Sequence, residues 1–278
     1  MAVSLNPYIS TFDEGFDAGK SSQYRMAIQF ALGGLSFALS DSETNRVIGL
    51  ECHQTDSSDS TETLQLLERV LDGKNLNHSN FLSVVCIVDT RMNTLVPSAL
   101  FDEANMANYL DFTFQIPENH AIAANRLRSV DCHNVFAQHK MLKNKVLKKW
   151  NEVQTVHSGT LFIESAMQNG MTEGVFVNVR NRDFDMIIKE EGKLLFYNNF
   201  RFNTKEDFAY FLLFAMEQNH VSGLDIPLTF TGLILPTSDI VNLCSRYVSD
   251  IRFVEGTPET TLNDIPYQYY HLLYQALG

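Results

Sequence analysis

Apolar positions in the first part of the chain fall into short runs separated by turn residues. Tyr24 to Leu32 is apolar, Gly33-Gly34 marks a turn, and Leu35 to Leu39 follows. Asp41 to Asn45 turns again before Arg46 to His53, a run with partial alternation. Such runs, bounded by Gly, Asp, Ser and Asn, read as strands, so the pattern predicts a three-stranded meander. The period then changes. After the polar stretch Thr55 to Glu62, Leu64, Leu67, Val70 and Leu71 recur at helical spacing until Gly73. Asp59 with Glu62 three residues later has the form of a capping box. Ser83 to Val88 reads as a buried strand and Asp102 to Leu110 as a short helix. Ala121 to Ala137 reads as one or two strands, Gln138 to Trp150 as a helix, Val153 to His157 as a strand and Thr160 to Gln168 as a helix.

The second half repeats this order. Strands are predicted at Gly174 to Val179, Phe184 to Ile188 and Leu194 to Phe200, with turns at Asn181 to Asp183 and Glu190 to Lys193. Thr204 and Asp207 cap an apolar helix reaching about Gln218. A strand at Leu228 to Leu233, a helix at Ser238 to Val248, a strand at Ile251 to Val254 and a helix at Tyr267 to Leu277 complete the pattern. Each half reads βββ-α-β-α, a repetition of pattern and not of residues. A meander followed by a crossover helix predicts an α/β fold with mixed sheets and helices on their faces. The expected organisation is a leader over 1–23, one lobe over 24–170 and a second over 171–278. A cleft between the lobes is the natural place for a ligand.

Composition narrows the class without naming a function. With 45% hydrophobic and 19% charged residues among 278, the chain is a folded protein and not a disordered one. Its 33 acidic against 21 basic residues give −12, which argues against nucleic acid as a partner. The first twenty residues lack a basic segment followed by an apolar one, and no apolar run approaches the roughly 18 residues of a transmembrane segment. Four scattered cysteines do not form a disulfide framework. A cytoplasmic setting is expected.

Duplicated βββαβα units resemble the actin-like ATPase superfamily, whose fold is ribonuclease H-like. The segments Glu191 to Phe200, Thr204 to Leu213 and Leu228 to Gly232, with Thr94 to Phe101 in the first half, resemble a family of uncharacterised Bacteroidetes proteins with that fold. The resemblance covers the chain after the leader. It implies two phosphate-gripping hairpin turns, each with an Asp followed two residues later by Gly, around ATP and Mg²⁺. In the first turn, Gly33 and Gly34 are present but Ala31 stands at the Asp position. In the second, Asn178 stands for Asp and Arg180 for Gly. The adenosine-side motif, with paired glycines in the superfamily, is Thr231-Gly232-Leu233. Phosphoryl transfer depends on positioning and charge around Mg²⁺. The expectation is a non-catalytic binding or scaffold protein with no cofactor. Gly33, Gly34, Asn178, Arg180, Thr231 and Gly232 form its candidate cleft. Some actin-like proteins serve in pilus or secretion assemblies, so a protein partner or self-association is expected. The alternative is a divergent nucleotide-binding protein or kinase, with ATP and Mg²⁺ in that cleft. For Arg180 and Arg182 the reading is two solvated hairpin arginines, with an anion contact as the alternative.

Other features carry weaker chemistry. Gly15 to Ser21 looks like a P-loop but is one residue short, and Asp17 inside it repels phosphate. Cys52-His53 and Cys132-His133, with His139 nearby, have zinc-ligand chemistry, but strand neighbours point to opposite faces. No metal site is expected. Asp183 and Asp185 read as part of a charge-balanced turn. Lys140, Lys143, Lys145, Lys148 and Lys149 lie in one helix ending at Trp150. They read as a solvated face, with a surface for an acidic partner, RNA or an anionic lipid surface as the alternative. The helix from Phe208 to Met216 is apolar nearly all round, which predicts burial on both sides, with an oligomer contact second.

Overall fold

The computed structural model describes residues 7–31, 34–54, 60–76, 80–150, 152–256, 262 and 265–278. Asp59 of the expected capping box lies outside them. The expected leader contains structure: β1 (Ile9–Phe12) pairs antiparallel with β4 (Val47–Gln54), Ile9 opposite Cys52, and Ala18–Gln23 forms a 3-10 turn. The cause is local packing. The Phe12 ring lies over Gly49, where a Cβ would come within 2.7 Å of it, and it packs 5.0 Å from Phe16.

The meander forms as expected from β2 (Tyr24–Ala31), β3 (Gly34–Asp41) and β4. With β5 (Ser83–Val88) and β9 (Val153–His157) added in parallel, the first sheet has the order β1-β4-β3-β2-β5-β9. Helices α1 (Ser60–Gly73) and α3 (Lys140–Lys149) cover one face, where Leu66, Leu71 and Val146 join Met26, Ile28 and Phe37. Between β5 and β9 the chain makes a second, three-stranded antiparallel sheet: β6 (Asn93–Pro97), β7 (His120–Arg126) and β8 (Cys132–His139), ordered β6-β8-β7. It has its own small core with α2 (Met106–Asp111), built on Val96, Leu110, Val135 and Ala137. Helix α4 (Ser158–Gln168) follows β9.

The second lobe repeats the plan. Strands β10 (Gly174–Val179), β11 (Asp183–Glu190), β12 (Lys193–Arg201), β13 (Leu228–Gly232) and β14 (Ile251–Phe253) form a sheet ordered β12-β11-β10-β13-β14. Helix α5 (Lys205–Gln218) starts at the predicted capping box. The Thr204 hydroxyl accepts from the Asp207 N–H at 3.1 Å, and the Asp207 carboxylate accepts from the Thr204 N–H at 3.1 Å. Phe208 and Leu212 of α5 fill the core with Phe184 and Phe230. The helix is not buried on both sides. Tyr210 and Phe214 are 61% and 46% exposed and stack on one another at 5.8 Å. Helix α6 (Asp239–Cys244) is shorter than predicted.

Helix α7 (His271–Leu277) crosses back and packs on the free face of the first sheet, where Leu273 and Leu277 meet Ala27, Ala38, Leu50 and Ile87. His271 shares a 2.7 Å hydrogen bond with Ser165 of α4. Burial pushes its pKa down to about 4. The unfolded chain takes up this proton near the ordinary histidine value and the folded chain only near 4. Stability from this group is therefore complete at neutral pH and declines as pH falls through that window, by about 3 kcal/mol in all. Urea unfolding at about pH 7 and about pH 4.5 is expected to show a smaller loss for His271→Gln than for the parent chain; equal losses would refute the assignment.

Candidate functional site

A cleft of about 910 Å³ opens between the lobes. Its walls come from the ends of strands. Gln29, Ala31 and Gly34 belong to the first hairpin, Asp89 to Arg91 follow β5, Asn178 to Asp183 form the second hairpin, and Thr231 to Leu233 end β13. Of the six candidate cleft residues, five line this one space. The sixth, Gly33, lies outside the described residues.

Asn178 and Thr231 are buried partners across the parallel β10–β13 pair. The Thr231 hydroxyl donates to the Gln268 carbonyl at 2.9 Å. Gly232 has φ +85°, and a Cβ there would lie 2.2 Å from the Val179 carbonyl and 2.7 Å from Asn178 Oδ1. The chain's own strand packing thus requires glycine at this position.

Arg180 is not a solvated hairpin arginine. Its side chain is only 15% exposed and is turned inward. Its guanidinium makes a two-pronged contact with Asp185, with Nη2 3.1 Å from Oδ1. It also bonds Asp183 through Nε and reaches Asp89 of the first lobe at 3.5 Å. Burial opposes its charge, but Asp185 and Asp89 outweigh that penalty and hold its pKa well above the usual arginine value. Asp89 is oriented by Gln29 Nε2 at 3.0 Å and by the Ser158 hydroxyl at 2.9 Å. The turn is charge-balanced as expected of Asp183 and Asp185, but the balance includes a carboxylate from the other lobe. Arg182 is exposed.

Two more contacts join the lobes beside this cluster. The Tyr197 hydroxyl donates to Asn93 Oδ1 at 3.1 Å, and Asn199 Nδ2 donates to the Arg91 carbonyl at 3.2 Å. His157 is buried at the β9–α4 junction. Burial holds its pKa below the ordinary histidine value, so it is neutral near pH 7. Its Nδ1 accepts from the Gly159 N–H at 2.9 Å, which leaves Nε2 to donate to the Thr90 carbonyl at 2.8 Å.

The five lysines of α3 do not share one direction. Lys140 donates to the Glu118 carbonyl at 2.7 Å, Lys143 lines the cleft, and Lys145 sits 3.6 Å from Glu68. Lys148 is exposed, and Lys149 lies 5.6 Å from the ring of Trp150. Trp150 itself belongs to the core, 6% exposed and edge-on to Phe81. Asp17 accepts from the Gly19 N–H at 2.9 Å, so the P-loop look-alike is the start of a 3-10 turn. His53 bonds Glu51 at 2.7 Å on one face of β4 while Cys52 joins α7 on the other. His133 stacks on Phe101 at 3.9 Å. Among the described residues, no group of three or more His, Cys, Asp or Glu is placed to hold a metal ion.

Residues 13–251 match the model of a protein family of unknown function (DUF3822). The chain belongs to that family. The fold is that of the actin-like ATPases. A protein of Bacteroides thetaiotaomicron with that fold and unknown function superposes with a TM-score of 0.78 at 21% identity, over 88% of this chain and 96% of the other. The PilM–PilN type IV pilus biogenesis complex gives a TM-score of 0.60 at 10% identity, over 91% of this chain and 97% of the other. The ethanolamine utilization protein EutJ from Carboxydothermus hydrogenoformans gives 0.50 at 10% identity, over 91% and 88%. No curated protein matches significantly in sequence. Among the described residues, no helix is long and apolar enough to cross a membrane.

Sequence reasoning found the hairpin residues of the cleft but missed Asp89, Tyr197 and His157. Asp89 had one signal, a lone carboxylate directly after a buried strand. The other two had none, because their partners lie in the other lobe or in the small sheet.

Proposed function

We propose that this chain is an actin-like protein that binds without turnover, a non-catalytic scaffold or binding module. The observation that carries this reading is Arg180. A permanently charged guanidinium stands among Asp89, Asp183 and Asp185, the carboxylates a magnesium ion would need in this part of the cleft. A divalent cation there would meet a fixed positive charge and acidic oxygens already engaged. The donor set therefore does not suit a magnesium–nucleotide complex. The likeness to a solved pilus biogenesis complex supports a place in an assembly.

The alternative is a nucleotide held in the same cleft. Its volume and the convergence of Gly34, Asn178, Thr231 and Gly232 favour that reading. Gly232 adds little to it, because strand packing demands glycine there whatever binds. An RNA- or anion-binding adaptor working through the lysine helix is a third reading. The divergent directions of its lysines count against it.

Phosphate release and thermal unfolding with ATP and Mg²⁺ test the proposal. No turnover is expected. A ligand present at 100 times its dissociation constant stabilises a native protein by about 2.7 kcal/mol, and no such shift is expected with ATP. Mg²⁺-dependent turnover that Asp89→Asn abolishes would overturn the proposal. A shift without turnover would favour the nucleotide-binding alternative.

A further inference from the structure

Three arginines, from both lobes, line the cleft. Arg182 and Arg201 are brought together by the β11–β12 register: Asp183 pairs with Arg201, and the Phe202 N–H donates to the Arg182 carbonyl at 3.0 Å. Arg91 of the first lobe is drawn to the same strand end by the Asn199 bond to its carbonyl. All three line the cleft. Arg182 and Arg201 are exposed and Arg91 is half-buried, and their side chains form no ion pair among the described residues.

We propose that Arg91, Arg182 and Arg201 form a binding site for a small molecule bearing one oxyanion, a phosphate ester or a carboxylate, taken up without a divalent cation. The proposal rests on the reading of the chain as a binding module. Charge selects the ligand class. Asp89, Asp183 and Asp185 are turned onto Arg180, which leaves two negative charges in that cluster. With Lys143, which also lines the cleft, the outer arginines make four positive charges and exceed them by two. A ligand carrying one or two negative charges matches this surplus, whereas a polyanion overfills it. A guanidinium presents its N–H groups as a planar fork that fits a phosphate or carboxylate edge. Arg180 cannot serve, because its fork is already taken by Asp185. Farther along the cleft, Tyr269 and Leu233 offer apolar surface for the organic part of the ligand.

Calorimetric titration with phenyl phosphate, and separately with benzoate, in the presence of EDTA tests the site. At least one probe is expected to bind saturably with equal affinity when Mg²⁺ replaces EDTA, and the preferred probe identifies the oxyanion. Arg182→Ala with Arg201→Ala is expected to weaken binding about tenfold or more, since a hydrogen bond to a charged group contributes about 1.5–3 kcal/mol. Both side chains are exposed, so the thermal midpoint should hold. Arg91→Gln alone should weaken binding several-fold, and Arg246→Ala, away from the cleft, should leave it unchanged. No saturable binding of either probe, a requirement for Mg²⁺, or undiminished binding by the double variant would each overturn the site. Phosphate release from ATP in the same preparation reports on the non-catalytic reading separately. Silence in both assays removes the oxyanion site alone, and turnover removes the reading on which it rests.

Discussion

Arg180→Met is expected to lower the unfolding free energy by about 3 kcal/mol, the lower part of the range for breaking a buried ion pair. Asp185 and Asp89 have side chains only 1% and 4% exposed, so removing the guanidinium strands two carboxylates away from water. The loss comes mainly from those unpaired charges and less from the missing attraction. Two variants separate the causes. Arg180→Lys keeps the charge but not the fork, and should fall between the parent and Arg180→Met. Arg180→Met combined with Asp185→Asn should recover part of the loss, because the second change removes one stranded charge. Chemical denaturation of these proteins, with Asp185→Asn alone to close the cycle, measures the coupling. If the double variant is no more stable than Arg180→Met, the cluster does not act as a charge network. Contacts Tyr197–Asn93 and Asn199–Arg91 remain in every variant, so the lobes should stay joined.

Gly232→Ala is expected to be at least as damaging, by more than about 3 kcal/mol, with a fall in soluble yield. Two costs combine. The φ of +85° disfavours any side chain, at about 1–2 kcal/mol. The new Cβ would also lie 2.2 Å from the Val179 carbonyl and 2.8 Å from its nitrogen, which are backbone atoms of the paired strand. They cannot withdraw without opening the β10–β13 ladder. Gly192→Ala is the control: its φ is +75°, but a Cβ there meets nothing within 4 Å. It should cost only the conformational part, about 1–2 kcal/mol. Equal thermal shifts for the two variants would refute the clash.

The fold was largely readable because both halves alternate period-two and period-3.6 segments between clear turn residues. β2 to β4 and β10 to β12 carry that signal, and so does the Thr204–Asp207 cap of α5. β1 escaped because four residues are too few to show alternation, and its evidence is the Phe12 ring over Gly49. The three-stranded sheet escaped as a unit because its pairing is a property of space, with β6 next to β8 and not β7. At the site, spacing located the second hairpin but not the direction of Arg180. That direction depends on Asp89, 91 residues away in the sequence and adjacent only after the lobes meet. The apolar count of α5 predicted burial on both sides. The solvent face of Tyr210 and Phe214 reflects a sheet on one side only.

The return of α7 to the first sheet has a consequence for biosynthesis. Ala27, Ala38, Leu50 and Ile87 are covered by an element that is translated after every strand of the second sheet. While the ribosome makes the intervening residues, that apolar face lacks the cover of α7, which makes the nascent chain vulnerable to sticking to its neighbours. Until then one face of the first sheet is short of Leu273 and Leu277. That coverage is complete only once the chain has been made as far as α7.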